Sequence, residues 1–300
     1  MTLQNNSYQT LIKSYTAWLS IIGYSWQAVK YYPMALQELC SWLEDHNYNN
    51  IDQITATIIK EYYEYLKTRP NKSRSGALSS YSLNRHICAL KTFNKYLKSH
   101  NQKAIPIHLE TEKTDPIAPL RIVSQQEIKS MFDATEHSHK EQHIRLRDKA
   151  ILVILYSCGL RVNEAVHLNT EDILFDAQRI YVKKGKNYKE RFVPINNYNL
   201  YILTDYIYEA RPLFNNSSLT PALFVSYLGK RLQGQSLCNR IKAIIKATND
   251  TALIERNITP HKLRHSIATH LLQQKAAIKD ISKFLGHHSL ESTQIYTHIL

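Results

Sequence analysis

Apolar residues recur at helical spacing through the first third of the chain. Four stripes, with apolar residues three or four positions apart, each predict a helix that buries one face. Pro33 lies inside the second stripe and is expected to kink or restart that helix, because proline removes a backbone donor. This region therefore predicts a small helical bundle. Its stripes are Tyr8, Leu11, Ile12, Tyr15 and Leu19; Val29, Tyr32, Leu36, Leu39 and Leu43; Ile58, Tyr62, Tyr65 and Leu66; and Leu83, Ile87, Leu90 and Leu97.

The helical pattern stops after the bundle. The stretch "AIPIHLETEKTDPIAPLRIVS" carries three prolines and mixed charge without a helical period, which is typical of an extended interdomain linker. A chain of 300 residues is also long enough for two domains. We therefore expect a helical domain over residues 1–110, a linker over 111–123 and a second domain over 124–300.

The second domain mixes helical stripes with two short β-branched segments. Ser124 and Glu127 have capping-box spacing, and Gly159 is expected to stop a buried helix. The segments "RIYV" and "ERFVPI", joined by "KKGKNYK", predict a basic hairpin. The fold class is therefore mainly α with a small β-sheet. Further helices are expected around 198–210, 236–247, 260–273 and 278–285, with a closing helix that carries Tyr296.

Charge narrows the choice of partner. The chain has 38 Lys and Arg against 25 Asp and Glu, a formal charge of +13, which favours nucleic acid first and an anionic membrane second. The longest apolar run, "AILVILYSCGL", is too short to span a bilayer, and the N-terminus has no signal-peptide character. We therefore expect a cytoplasmic protein with no membrane partner.

No cofactor is indicated by the motifs. Only seven glycines occur, with no phosphate-binding loop of the usual spacings, and the four cysteines form no C-x-x-C pair. We interpret His137, His139 and His143 as parts of a polar loop rather than as metal ligands. The expected chemistry needs neither a nucleotide cofactor nor a metal.

Four separated segments carry a family resemblance. They are "CGLRVNEA", "KKGKNYKER", "HKLRHS" and "LGHHSLESTQIY". Their order resembles the tyrosine recombinases, the family of lambda integrase, the Xer recombinases, Cre and the integron integrases. The similarity is strong from residue 124 onward, whereas the bundle matches the family's core-binding domain only in size and helical content. By this resemblance the active-site positions are Arg161, Lys186, His261, Arg264, His287 and Tyr296.

The residue types suit the chemistry that the resemblance implies. Two arginines can hold the nonbridging oxygens of a phosphodiester with a permanent charge. Tyr296 would be the covalent nucleophile, although a phenol has a pKa of about 10 and needs help at neutral pH. His261 would accept its proton or orient the phosphate, Lys186 would protonate the leaving 5′ oxygen, and His287 would donate a hydrogen bond.

Local helix geometry adds two expectations. Thr259 and Pro260 fit the cap and first turn of a helix, so that His261 and Arg264 would project from its exposed start. Glu164 follows Arg161 by three residues, which would place both on one helical face and let the carboxylate orient the arginine.

Basic loops are candidates for contact with DNA phosphates. They are "KTRPNKSRSGALSS" in the first domain, where Ser79 or Ser80 can cap the next helix, and the hairpin of the second domain. The hairpin departs from the family pattern G-K-G-N-K-E-R, so Lys186 is assigned by counting back from Arg191. The phosphate candidates are Lys67, Arg69, Lys72, Arg74, Lys184 and Lys189.

The resemblance implies a site-specific recombinase that acts on double-stranded DNA through a 3′-phosphotyrosyl bond and a Holliday junction. Four protomers would assemble on two DNA sites, for integration or excision of a mobile element or for dimer resolution. Xer-like members continue past the nucleophile with a docking tail, whereas four residues follow Tyr296 here, so we expect either a trimmed end or a different subunit coupling. The alternatives are a noncatalytic architectural clamp and a type IB topoisomerase-like enzyme.

Overall fold

The computed structural model describes residues 3–71, 75–113, 122–183 and 190–286. Contacts between residues divide the chain into two compact units, residues 1–117 and 118–300. The finer domain bounds at residues 110 and 124 stay predictions, and part of the predicted linker lies outside the described residues.

The first unit contains the predicted helical bundle. Each helix begins at a polar cap whose side chain accepts a backbone N–H, namely Asn5, Ser25, Thr55 and Ser79. A short 3₁₀ turn, Ile51–Gln53, precedes the third helix. The helices are α1 (Asn6–Ile21), α2 (Trp26–Asp45), α3 (Ala56–Thr68) and α4 (Ser80–Ser99).

Helix α2 runs through Pro33 without a break, so the restart that we expected there does not occur. Pro33 is buried, and α2 packs along both α1 and α4. Packing of a long amphipathic helix therefore outweighs the local loss of one hydrogen bond.

The chain after α4 packs along the bundle as far as residue 113. Ile105 is buried in the core, and the Asn94 side chain bonds both the N–H and the carbonyl of Ile105. Further on, Asn84 makes the same pair of bonds to the backbone of Glu112, and Tyr63 donates to the Glu112 carboxylate. The first part of the predicted linker thus belongs to the bundle surface.

The second unit is mainly helical with a three-stranded antiparallel sheet in the order β1-β2-β3. The predicted hairpin strands are present as β2 (Arg179–Val182) and β3 (Arg191–Pro194), and the sequence analysis missed β1 (Ile173–Leu174). The capping box of Ser124 and Glu127 is also present. The helices are α5 (Gln125–Ala134), α6 (Gln142–Leu152), α7 (Val162–His167), α8 (Asn197–Thr204), α9 (Gly234–Ala247), α10 (Thr251–Glu255), α11 (Pro260–Gln273) and α12 (Ile278–Leu285).

Gly159 brings three elements of the second unit together. Helix α6 continues as a π-helix, Val153–Ser157, and the chain then turns at Gly159, whose φ of +61° suits glycine. A Cβ at this position would lie 3.0 Å from the Leu285 side chain and 3.1 Å from that of Phe284. The turn that leads into α7 therefore packs directly against the end of α12, where the candidate site is built.

None of the helices in the part of the chain that the structure describes has the length and apolar character needed to cross a bilayer.

Candidate active site

The first part of the site lies at the start of α7. Arg161 is not on the helix but precedes it in extended conformation, which corrects the expectation that it shares a helical face with Glu164. Instead, the Glu164 carboxylate accepts from the Arg161 backbone N–H at 2.9 Å and from its Nη1 at 3.0 Å. The helix start thus fixes both the backbone and the guanidinium of Arg161.

The second part of the site lies at the start of α11. Thr259 caps this helix and Pro260 occupies its first position, as predicted. His261 lies on the first turn with much of its surface accessible and the rest partly buried, but Arg264 is only 3% exposed, which corrects the expectation of an exposed arginine. The Arg264 guanidinium donates to the carbonyl of Gly159, in the turn before α7, and to that of Leu285, the last residue of α12. These two segments enclose the side chain.

The two parts meet at the Glu164 carboxylate. Arg264 Nη1 lies 3.7 Å from Glu164 Oε2, and Arg191 at the start of β3 donates from Nη1 and Nη2 to the two carboxylate oxygens, each at 3.0 Å. Three guanidiniums separated by up to about a hundred residues along the chain, from 161 to 264, therefore share one largely buried carboxylate. Among the described groups of this cluster, positive charge exceeds negative charge by two.

This excess charge is reflected in the titration of its neighbours. Burial alone would raise the pKa of the Glu164 carboxyl, but Arg191, the Arg161 backbone N–H and Arg264 outweigh it and lower the pKa. Partial burial of the His261 ring, together with the charges of Arg264 and Arg161, lowers the pKa of His261. Glu164 is therefore ionised and His261 is mostly neutral at pH 7.

Sequence reasoning missed two residues of this region. Arg191 served only to count back to Lys186, yet it provides the bidentate partner of Glu164. His265 follows Arg264 directly, and burial with the charges of His261 and Arg264 lowers its pKa to about 4. The motifs "KER" and "LRHS" contain both residues, but a motif alone does not say which side chains turn inward.

Three of the six predicted active-site residues, Lys186, His287 and Tyr296, lie outside the described residues. The described residues come within a few positions of two of them in the sequence, Lys186 and His287. Lys183, three residues before Lys186, is held by Asp172 at 3.0 Å and by Glu171 at 3.2 Å. Helix α12, which was predicted over residues 278–285, ends at Gly286 in the left-handed conformation, directly before His287.

The two predicted phosphate contacts of the first unit that the structure describes, Lys67 and Arg69, pair with acidic residues. Lys67 pairs with Glu64 and Glu112, at 3.3 and 3.4 Å. Arg69 pairs with the buried Glu38, with Arg69 Nε 2.5 Å from Glu38 Oε1. The other predicted contacts lie outside the described residues: Lys72, Arg74, Lys184 and Lys189.

Comparison with known proteins defines the class of the protein. Residues 121–300 match the phage integrase family, and residues 12–101 match its N-terminal SAM-like domain. The chain therefore belongs to the phage integrase family, and it is a tyrosine recombinase that carries out site-specific recombination.

Particular relatives share nearly the whole chain. It is 30% identical to tyrosine recombinase XerD of Staphylococcus epidermidis, over 97% of this chain and 94% of that protein. Tyrosine recombinase XerD of Corynebacterium glutamicum is also 30% identical, over 92% and 89% of the two chains. Both the bundle and the second unit are thus part of the similarity.

Solved structures share the fold. XerH site-specific recombinase bound to its difH substrate, in a pre-cleavage complex, aligns with a TM-score of 0.73 at 22% identity, over 90% of this chain and 76% of that one. XerA recombinase aligns with a TM-score of 0.52 at 26% identity, over 98% and 94%.

Proposed function

We propose that the chain cuts and rejoins double-stranded DNA at a specific site, with Tyr296 as the nucleophile. The observation that carries this proposal is the cluster of three guanidiniums around Glu164, with His261 beside it. A buried excess of positive charge is complementary to a phosphodiester, and more so to the transition state, in which charge grows on the nonbridging oxygens.

The proposed reaction is a transfer of the phosphoryl group. The Tyr296 oxygen attacks the phosphorus and forms a 3′-phosphotyrosyl bond while the bond to the 5′ oxygen breaks. The phenolic proton passes to His261, which can accept it because the lowered pKa keeps the ring neutral at pH 7. Lys186 supplies the proton that the departing 5′ oxygen needs.

The remaining residues would hold the phosphate. Arg161 and Arg264 would bind the two nonbridging oxygens, His287 would donate a further hydrogen bond, and Glu164 would keep Arg161 in place. The 5′ hydroxyl of a partner strand would then attack the phosphotyrosine, and the covalent bond preserves the energy of the broken one. The reaction as proposed therefore draws on no external energy source.

DNA as the partner is supported by the net charge and by relatives such as XerH, whose structure contains its difH substrate. Contact of the basic loops with phosphate requires Lys67 and Arg69 to exchange carboxylates for phosphates, whereas the proposal for Lys72, Arg74, Lys184 and Lys189 rests on sequence. We further propose four protomers on two DNA sites and exchange through a Holliday junction.

The test is covalent trapping on a nicked duplex that loses the cleaved end. DNA bound by the protein in its native host is recovered and used as the substrate. Wild type should form a denaturant-resistant adduct, and Tyr296→Phe should form none. Tyr198→Phe, which removes the hydroxyl of an exposed tyrosine in α8, is the matched control and should form the adduct.

Two other outcomes would point elsewhere. An adduct that persists in Tyr296→Phe would move the nucleophile to another residue, and specific binding without any adduct would favour an architectural clamp. Relaxation of supercoiled plasmids that lack the site would favour a topoisomerase-like enzyme. The recovered sites also distinguish ends of a mobile element from a dimer-resolution site.

A further inference from the structure

Arg191, on strand β3, connects the start of helix α7 to the end of helix α12. It is the first residue of β3, and its side chain is 7% exposed. Nη1 and Nη2 donate to the two oxygens of Glu164 at the start of α7, and Nε donates to the carbonyl of Phe284 at the end of α12, at 3.0 Å. Its planar fork therefore fixes the distance between these two elements, which a lysine could not do.

The same guanidinium packs against the chain as it leaves α12. Gly286 has a φ of +66°, and a Cβ at this position would lie 2.9 Å from Arg191 Nη1 and 3.0 Å from its Cζ. Only a residue without a side chain allows this close approach. Arg191 thus borders the point from which the chain continues to His287 and Tyr296.

Arg191 also changes the charge that the site offers. Glu164 carries one negative charge that it shares with three guanidiniums, and Arg191 is the one that bonds both of its oxygens, so Arg191 offsets charge that would otherwise act on Arg161 and Arg264 alone. Without Arg191, the same carboxylate would cancel one of these two charges. The attraction for the developing charge on phosphorus would then fall.

We propose that Arg191 is a positioning residue of the recombination reaction. It neutralises Glu164 so that Arg161 and Arg264 serve the phosphate, and it holds the end of α12 ahead of His287 and Tyr296. This inference rests on the proposed function, because it assumes that the two arginines bind the reacting phosphate.

A double-mutant cycle tests the charge role. Single-turnover cleavage of the nicked duplex is measured at saturating protein for wild type, Arg191→Gln, Glu164→Gln and the double variant. Arg191→Gln should cleave about 10- to 100-fold more slowly, as is usual when a partner of a reacting group is lost, with little change in DNA affinity. The double variant restores the wild-type excess of two positive charges, so it should cleave about tenfold faster than Arg191→Gln.

Arg211→Gln is the matched control, because Arg211 is a partly buried arginine of the same unit that donates to the backbone carbonyls of Ser217, Thr220 and Ala222. It should lower the melting temperature without changing the cleavage rate of the folded protein. A purely structural Arg191 would behave in the same way, and the losses from Arg191→Gln and Glu164→Gln would then be additive. Additive losses would overturn the proposal.

Arg191→Lys keeps the test decisive if Arg191→Gln does not fold. Lysine retains the charge but loses the fork, so Glu164→Gln should not accelerate Arg191→Lys, and equal acceleration would overturn the charge role. The wild-type adduct at Tyr296 is scored in the same experiment. Its absence would reject the proposed function, whereas additivity with a normal wild-type adduct would reject only the role of Arg191.

Discussion

Two buried carboxylates, one in each unit, are balanced differently. Glu38 in α2 is 9% exposed and pairs with one guanidinium, that of Arg69, while His86 lies 3.8 Å away. Glu164 in α7 is similarly buried but is shared by Arg161, Arg191 and Arg264. Burial is thus comparable at the two sites, whereas the number of positive charges is not.

The difference is that between a structural ion pair and the anion site that we propose. A buried charge is tolerated when a partner of opposite sign and good geometry compensates for lost hydration, and Arg69 does this for Glu38. At Glu164, one carboxylate is shared by three guanidiniums among the described residues. Such a concentration of positive charge favours an anion that binds beside it, which is the physical basis of the proposed phosphate ligand.

The largest expected effect comes from neutralising each carboxylate. Glu164→Gln and Glu38→Gln each leave buried guanidinium groups without their carboxylate, which costs about 3–5 kcal/mol of unfolding free energy. Thermal and denaturant unfolding of the two variants measure this loss. Equal losses would still leave the two sites distinguishable by their response to anions.

Added sulfate provides that distinction. It should recover stability in Glu164→Gln, because an anion that binds only the folded state stabilises it, and it should recover much less in Glu38→Gln. Sodium chloride at the same ionic strength is the control for screening. Equal recovery in both variants would show that the two clusters do not differ as anion sites.

The next largest effect concerns the arginines themselves. Arg161→Ala and Arg264→Ala should each reduce cleavage by about 10²–10³-fold, because the lost interaction is strongest in the transition state. DNA affinity should fall by much less. Arg240→Ala, which breaks the ion pair with the buried Asp148, is the control and should cost stability alone. Equal losses in DNA affinity and cleavage rate would mean that Arg161 and Arg264 bind DNA but do not stabilise the transition state.

Much of the fold follows from local pattern. The stripes of α1 to α4, the cap at Ser79, the hairpin strands and the turn at Gly286 each reflect the spacing of a few neighbouring residues. A restart of the helix at Pro33 does not occur, and strand β1 was missed, because packing with distant elements decides both. A two-residue strand has no period of its own to detect.

The candidate site also has some features that follow from local sequence and others that depend on packing between distant elements. Family motifs point to Arg161, His261 and Arg264, which the structure brings to one region, but not to the inward turn of Arg191. The burial of Arg264 was also not predictable, because it depends on carbonyls at Gly159 and Leu285 that are distant in sequence. Residue types can be read locally, whereas their pairing requires the fold.

Two glycines allow a smaller effect to be compared between the units. Gly286 and Gly23 both follow a helix with positive φ, +66° and +85°, so alanine at either position should cost about 1–2 kcal/mol. No atom of the described residues lies within 4 Å of a Cβ at Gly23, whereas a Cβ at Gly286 would meet Arg191. Gly286→Ala should therefore also slow cleavage, and Gly23→Ala should not. Unfolding and single-turnover cleavage measure the two effects. Unchanged cleavage in Gly286→Ala would show that the position of Arg191 does not affect the reaction rate.

The smallest expected effect is a change in histidine titration. The pKa of His261 is lowered by partial burial and by Arg264 and Arg161. That of His86 is lowered mainly by burial, against the opposing charge of Glu38. In both cases the folded state resists protonation, so each histidine contributes stability that is present above the ordinary pKa of about 6.5 and is lost as pH falls through the lowered folded value.

Sulfate should act mainly on one of these histidines. An anion beside Arg161 and Arg264 offsets their charges and favours the imidazolium, so the pKa of His261 should rise and the loss of stability at acidic pH should shrink. The response of His86 should be small, because Glu38 lies 3.8 Å from its ring and opposes the charges of Arg69 and Arg85. Proton NMR titration with and without sulfate, assigned through His261→Gln and His86→Gln, measures both pKa values. A rise at His86 equal to that at His261 would mean that the excess charge around Glu164 does not create a selective anion site.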